Sequence, residues 1–148
     1  MSITANILQQ LPFSEPYLFV DELHYVNDEG ASGSYTFRRD LPFYQGHFKD
    51  APVTPGAILI EVMAQIGGSS LGIYLSSQEN GGQNPPQLCL ASSYEASFFL
   101  PVYPGERVTV VSEKVYFRFN KLKFKVQMVN SSGSIICRGV FTGMLKAR

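Results

Sequence analysis

Apolar and polar positions along the chain fall into three regimes. Two early segments, Tyr17 to Val26 and Ser34 to Arg38, are rich in aromatic and β-branched residues and flank Asn27, Asp28, Glu29 and Gly30, which favour turns. They predict a β-hairpin. From Pro55 to about Ser76 nearly every position is apolar or small, with Thr54 as N-cap, Pro55 at the first helical position and Gly81-Gly82 as a stop. This predicts one helix of about 33 Å at 1.5 Å per residue, and so apolar a helix must be wrapped on nearly all sides. Glu61, Gln65, Gly68 and Gly72 fall on one line at i, i+3/i+4 spacing and form its polar or small stripe. Something has to approach closely along that line.

After a polar loop from Glu79 to Gln87 the chain reads as strands: Leu88 to Leu100, Val108 to Phe119, Leu122 to Val129 and Ser134 to Leu145, with turns at Pro101 to Gly105 and Asn130 to Gly133. Leu122, Phe124 and Val126 alternate with Lys121, Lys123 and Lys125, so that strand has one apolar and one basic face. The expected fold is α+β, a curved antiparallel sheet wrapped around one long central helix in a single domain over residues 1–148. Such a sheet has an open edge and covers its helix incompletely. Dimerisation would remedy both.

Composition narrows the classes. At 45% hydrophobic and 13% aromatic residues the chain can fill a core, which excludes a disordered or fibrous protein. The run from Val53 to Leu75 is long enough to span a bilayer, but its Glu61, Gln65, glycines and serines make a buried helix of a soluble protein the expectation. The N-terminus has neither a basic start nor a sustained apolar run, so the expected location is cytoplasmic. Two cysteines, Cys89 and Cys137, and two histidines, His24 and His47, complete no metal-ligand pattern. Formal net charge is zero, yet residues 1–106 carry three basic side chains against eleven acidic ones and residues 107–148 carry nine against one. That asymmetry is either neutralised within the fold or forms a basic face for an acidic protein; no nucleic-acid motif is present.

The chemistry concentrates in Tyr44 to Gln65, YQGHFKDAPVTPGAILIEVMAQ. His47 sits in a turn and Glu61 lies in apolar sequence, two groups able to exchange protons near neutral pH. Between them lies a helix N-terminus built on Pro55 and Gly56, whose backbone N–H can stabilise negative charge.

This stretch resembles the bacterial 3-hydroxyacyl-acyl-carrier-protein dehydratases, small hot-dog-fold enzymes of fatty-acid synthesis. The resemblance rests on Gln45-Gly46-His47-Phe48, then Pro52-Val53-Thr54-Pro55-Gly56, then Glu61-Val62-Met63-Ala64-Gln65, with weaker matches at Leu11-Pro12, Val20-Asp21 and Pro101-Val102-Tyr103-Pro104-Gly105. It implies a hot-dog fold and loss of water from a (3R)-hydroxyacyl thioester to give a trans-2-enoyl thioester, with His47 as base and Glu61 as acid. It further implies that one subunit supplies His47 and the other Glu61, that Gly56 binds the thioester carbonyl and that Gln65 supports Glu61. Val53 and Phe48 complete the candidate substrate-binding set. No metal or other cofactor is implied, because the substrate rides on the phosphopantetheine of an acyl carrier protein. Homodimers, or trimers of dimers, are the implied assemblies.

Three features depart from the family pattern. The opening motif is Leu11-Pro12-Phe13-Ser14-Glu15-Pro16, Phe98-Phe99-Leu100 stands where basic residues usually precede Pro101, and Thr54 replaces a methionine. They point to a specialised branch handling polyene, pigment or other secondary acyl chains. A hot-dog thioesterase, with Glu61 activating water, and a non-catalytic module that binds acyl carriers or acyl thioesters are the competing readings.

Overall fold

A six-stranded antiparallel sheet curls around one helix in the computed structural model, which describes residues 2–82 and 87–147. In chain order the elements are α1 (Ile3–Gln10), β1 (Glu22–Val26), β2 (Gly30–Thr36), a 3-10 turn (Pro42–Gln45), α2 (Gly56–Met63), a π-helical segment (Ala64–Ser69), α3 (Ser70–Glu79), β3 (Gln87–Phe98), β4 (Arg107–Arg118), β5 (Lys121–Val129) and β6 (Ile135–Ala147). The strands lie in the order β1-β2-β4-β5-β6-β3. Helix α2, the π segment and α3 run continuously and form the central helix. By length and composition it could cross a membrane, but most of it is buried inside the protein. Val62, Met63, Ile66 and Leu71 are fully buried against sheet residues such as Val110, Leu122 and Met128.

The expected α+β architecture is present, with local differences that have physical causes. The first strand starts at Glu22 rather than Tyr17, because the Phe19 N–H donates to Gln65 Oε1 and the Tyr17 carbonyl accepts from Gln65 Nε2. Those backbone groups face the helix instead of a neighbouring strand. Gly30, expected in the turn, opens β2, where a Cβ would lie 2.0 Å from the Ser112 carbonyl oxygen. Thr54 does not cap the helix. Its hydroxyl pairs with the Tyr44 hydroxyl at 2.5 Å, so Pro55 becomes the cap residue and Gly56 the first helical one.

Two elements have no counterpart in the sequence reading. Helix α1 is capped by Ser2, whose side chain accepts from the Ala5 N–H at 3.1 Å, and buries only Ile7. The π segment widens the central helix, which shifts carbonyls off their usual partners. The Ser112 hydroxyl donates to the Gly67 carbonyl at 2.8 Å, and the Ser70 hydroxyl donates to that of Ile66. Part of the expected polar loop, residues 83–86, lies outside the described residues.

The alternation in β5 appears in three dimensions: Leu122, Phe124 and Val126 are buried, while Lys121 and Lys125 are exposed on the outer face. Glu113 stands opposite Lys125 in the β4–β5 register, so the basic face is interrupted. At the other edge, among the described residues, β3 pairs only with β6 and leaves Leu90, Tyr94 and Phe98 about half exposed. A long, apolar, unpaired edge is a surface for another strand.

Candidate active site

His47 is held in a small loop by its own backbone. Its N–H donates to the Phe43 carbonyl at 3.1 Å, and its carbonyl accepts from the Val53 N–H at 2.8 Å. Phe48 and Ala51 exchange backbone hydrogen bonds across the loop, with Asp50 in the left-handed region at φ 61°. The loop is anchored beneath by the buried Tyr44–Thr54 pair and by the Thr54 N–H, which donates to the Val102 carbonyl.

The ring stacks on Phe48 at 4.1 Å between centroids. His47 Nδ1 lies 2.9 Å from the Val53 carbonyl oxygen. A carbonyl can only accept, so Nδ1 carries the hydrogen and Nε2 presents a free lone pair. In its neutral form the imidazole thus carries its lone pair on Nε2.

Glu61 projects from α2 into a different set of contacts. Gln65, one turn on, is fully buried and uses its whole amide: Nε2 donates to Glu61 Oε2 at 3.0 Å and to the Tyr17 carbonyl at 2.9 Å, while Oε1 accepts from the Phe19 N–H at 2.8 Å. The Tyr17 hydroxyl is a second hydrogen-bond partner of the Glu61 carboxyl. Burial pushes the Glu61 pKa above the ordinary glutamate value, against the pull of the hydrogen bonds from Gln65 and Tyr17. Burial, and then the charge of Glu61, also raise the Tyr17 phenol, which stays protonated and able to donate. Because Oε2 accepts from an amide N–H, the acidic proton belongs on Oε1.

Beside Glu61 lies a cavity of about 300 Å³ between the central helix and strands β3, β5 and β6. Ile60, Ala64 and Gly68 form its helix wall, and Tyr94, Phe124 and Phe141 supply an aromatic wall in which neighbouring rings are 5.5 and 5.6 Å apart. A mostly apolar cavity with one carboxyl suits an apolar chain carrying a polar reacting group. Gly56 opens the helix at an exposed position, next to the ring of Phe98. First-turn N–H groups have no partner within a helix.

Within one chain, then, Gln65 meets Glu61 directly, whereas His47, Val53 and Phe48 belong to the loop. His47 is not among the residues that line the Glu61 cavity. Phe48 is 59% exposed, so its outer face is open for contact with another surface.

Comparison with known proteins gives the family. Residues 11–139 match the FabA-like domain family. The chain is 34% identical over 137 residues to the 3-hydroxyacyl-[acyl-carrier-protein] dehydratase FabZ of Tolumonas auensis, covering 89% of this chain and 87% of that protein. The FabZ of Caldicellulosiruptor saccharolyticus is 31% identical over 138 residues, covering 91% and 92%.

The chain belongs to the FabA-like dehydratase family.

Among solved structures, the dehydratase heterocomplex ApeI:P from Xenorhabdus doucetiae superposes with a TM-score of 0.80 at 16% identity, covering 96% of this chain and 91% of that one. A hypothetical thioesterase with coenzyme A from Streptococcus pneumoniae reaches 0.61 at 15% identity, covering 86% of each. These likenesses establish the hot-dog fold. Against it, this FabA-like chain shows two contacts that sequence reasoning missed. Tyr17 reaches Glu61 from a segment far away in sequence, and Thr54, read as an N-cap and as a departure from the family pattern, anchors the His47 loop. An aromatic residue near a weak opening motif was the sole available signal for Tyr17.

Glu61→Gln tests the desolvated carboxyl. The folded chain holds the Glu61 proton more tightly than the unfolded one, so this group's contribution to stability is present below the unfolded pKa and is lost as pH rises through the folded value. The glutamine can still accept from Gln65 without burying a charge. Thermal unfolding is expected to show Glu61→Gln more stable than wild type at pH 8 and nearly equal at pH 4; an equal difference at both would mean that the carboxyl is not desolvated.

Proposed function

We propose that this protein dehydrates (3R)-hydroxyacyl thioesters borne on acyl carrier protein, giving trans-2-enoyl thioesters, with Glu61 of one subunit and His47 of another acting on the same chain. The observation that carries the reading is Glu61: a carboxyl whose proton affinity is raised by burial, lining a mostly apolar cavity near a helix N-terminus. The family and its FabZ relatives supply the reaction class.

The chemistry follows from the groups. His47 Nε2 removes the proton from C2, and the electron pair moves into the thioester to place negative charge on its carbonyl oxygen. The Gly56 N–H, at the positive end of the helix, stabilises that charge without rearranging. As the pair returns to form the C2–C3 double bond, the C3–O bond breaks and the leaving oxygen takes the proton from Glu61 Oε1 and departs as water. Gln65 and Tyr17 hold the carboxyl in place, while Val53 fixes the imidazole and Phe48 flanks it. The step asks for no cofactor beyond the carrier's phosphopantetheine.

The partner subunit follows from what one chain lacks. Pairing of two β3 edges would extend the sheet, cover Leu90, Tyr94 and Phe98 and bring the partner's His47 loop to the Glu61 cavity, in a homodimer or a trimer of dimers. We place the enzyme in the cytoplasm, in fatty-acid or in polyene or other secondary acyl-chain synthesis.

Incubation with a 3-hydroxyacyl thioester should give a product lighter by one water. His47→Ala and Glu61→Ala should each lower kcat/KM by about 10²–10⁴ while substrate still binds. Undiminished turnover in both variants would overturn the assignment. Free thiol as the product would point instead to a thioesterase, and tight carrier binding without turnover to a binding module.

Tyr17→Phe separates the acid's environment from its identity. The lost hydrogen bond favoured the charged carboxylate, so Glu61 should hold its proton to higher pH and the alkaline limb of the kcat profile should move upward. A limb that stays in place would remove Tyr17 from the site.

A further inference from the structure

We propose that the Ser69 hydroxyl donates a hydrogen bond to an oxygen atom on the far part of the acyl chain, so that this protein takes chains carrying a carbonyl or hydroxyl group well beyond the reacting carbons. The inference rests on the dehydratase reading for the thioester end of the ligand; the hydroxyl and its place in the cavity do not depend on it.

Ser69 ends the π segment Ala64–Ser69, and it lines the cavity beside Glu61 together with Ala57, Ile60, Ala64 and Gly68. From Ala57 to Gly68 these residues follow the three- and four-residue steps of one α-helical face. Ala64 and Ser69 are instead five apart, which is the step of a π turn. In an unbroken α-helix, a residue five positions beyond Ala64 would point about 140° away from it. The π segment is therefore what brings Ser69 onto the cavity wall.

Of the three serines at this segment, two are occupied. Ser112 donates to the Gly67 carbonyl at 2.8 Å, and Ser70 donates to the Ile66 carbonyl. The Ser69 hydroxyl has no hydrogen-bond partner among the described residues. Among those residues the side-chain oxygen sealed in the core without a partner is that of Tyr35, so the Ser69 oxygen reaches open space. Because Ser69 as a whole is only 3% exposed, that space is the cavity. A hydroxyl pressed against methylene groups loses its water and gains nothing in return, which opposes a plain alkyl tail at this place. A tail that offers an oxygen there removes the penalty.

The position of that oxygen follows from the helix. Ser69 lies eight residues beyond Glu61, which is about 12 Å at 1.5 Å per residue. An extended chain advances about 1.2 Å per bond, by analogy with the 3.3–3.6 Å that an extended residue covers in three. About ten bonds thus separate a carbon at Glu61 from one at Ser69. With C3 held at Glu61, the oxygen belongs near about C13.

The test measures binding to the full chain by calorimetry, using tetradecanoyl-pantetheine, either plain or with one ketone at C7, C10 or C13. The affinity of each ketone chain relative to the plain one is read in wild type and again in Ser69→Ala. The substitution should lower that ratio by about three- to tenfold at C13, the worth of one neutral hydrogen bond, and by less than about twofold at C7. The plain chain should bind Ser69→Ala at least as tightly as wild type, a change that general damage to the helix would not produce. Ser69→Cys keeps the shape but donates poorly and should behave as Ser69→Ala does, so it decides the question should the alanine variant fail to fold. Ratios that neither variant changes at any position, or an equal loss for plain and ketone chains, would overturn the Ser69 site. Water loss from the matching 3-hydroxyacyl-pantetheines separates the two readings. Turnover without a change in ratio would overturn the Ser69 site alone, whereas a change in ratio without turnover would support that site and overturn the dehydratase reading.

Discussion

Three hydrogen bonds to one buried amide organise the surroundings of Glu61. The central helix is so apolar that its polar groups need partners, and Gln65 is fully buried on it. Its amide ties the helix to the segment Tyr17–Phe19 on one side and to Glu61 on the other. Every donor and acceptor of that amide is used, and an unpartnered one would cost about 1–3 kcal/mol. The orientation of Gln65 is therefore fixed. Through it, Glu61 and the approach of Tyr17 are fixed as well.

The same burial raises the carboxyl's affinity for its proton. A carboxyl in water would give up its proton below neutral pH, but desolvation beside the cavity opposes the charge, and the hydrogen bonds from Gln65 and Tyr17 offset this only in part. His47 is prepared differently. It lies in a loop whose Val53 carbonyl sets the tautomer, and it is absent from the cavity that Glu61 lines. The chain thus holds a carboxyl in a pocket and an imidazole on a loop, beside a strand edge with exposed aromatic residues.

Much of this was legible in the chain because periodicity and burial are the same fact seen twice. The wrapped helix, the four later strands and the buried line of Leu122, Phe124 and Val126 follow from it. That Gln65 supports Glu61 was implied by the family resemblance; the helix sets the two one turn apart and joins them by a hydrogen bond. What could not be read depended on contacts between distant segments. Tyr17 and Gln65 are 48 residues apart, and their hydrogen bond displaces the start of β1. Thr54 has the side chain of a good N-cap, yet Tyr44 offers its hydroxyl a nearer partner. The π segment left only Gly67-Gly68 as a trace, since the serines that satisfy its carbonyls include Ser112 on β4.

The claim that the acid and the base come from different chains is tested most directly by mixing inactive partners. His47→Ala and Glu61→Ala proteins, each inactive alone, are unfolded, mixed in equal amounts and refolded, and water loss from a 3-hydroxyacyl thioester is measured. Random pairing leaves one intact site in half of the dimers, so the account predicts recovery of about a quarter of wild-type activity. A mixture that exchanges subunits, as shown by mass, yet remains as inactive as its parents would contradict it.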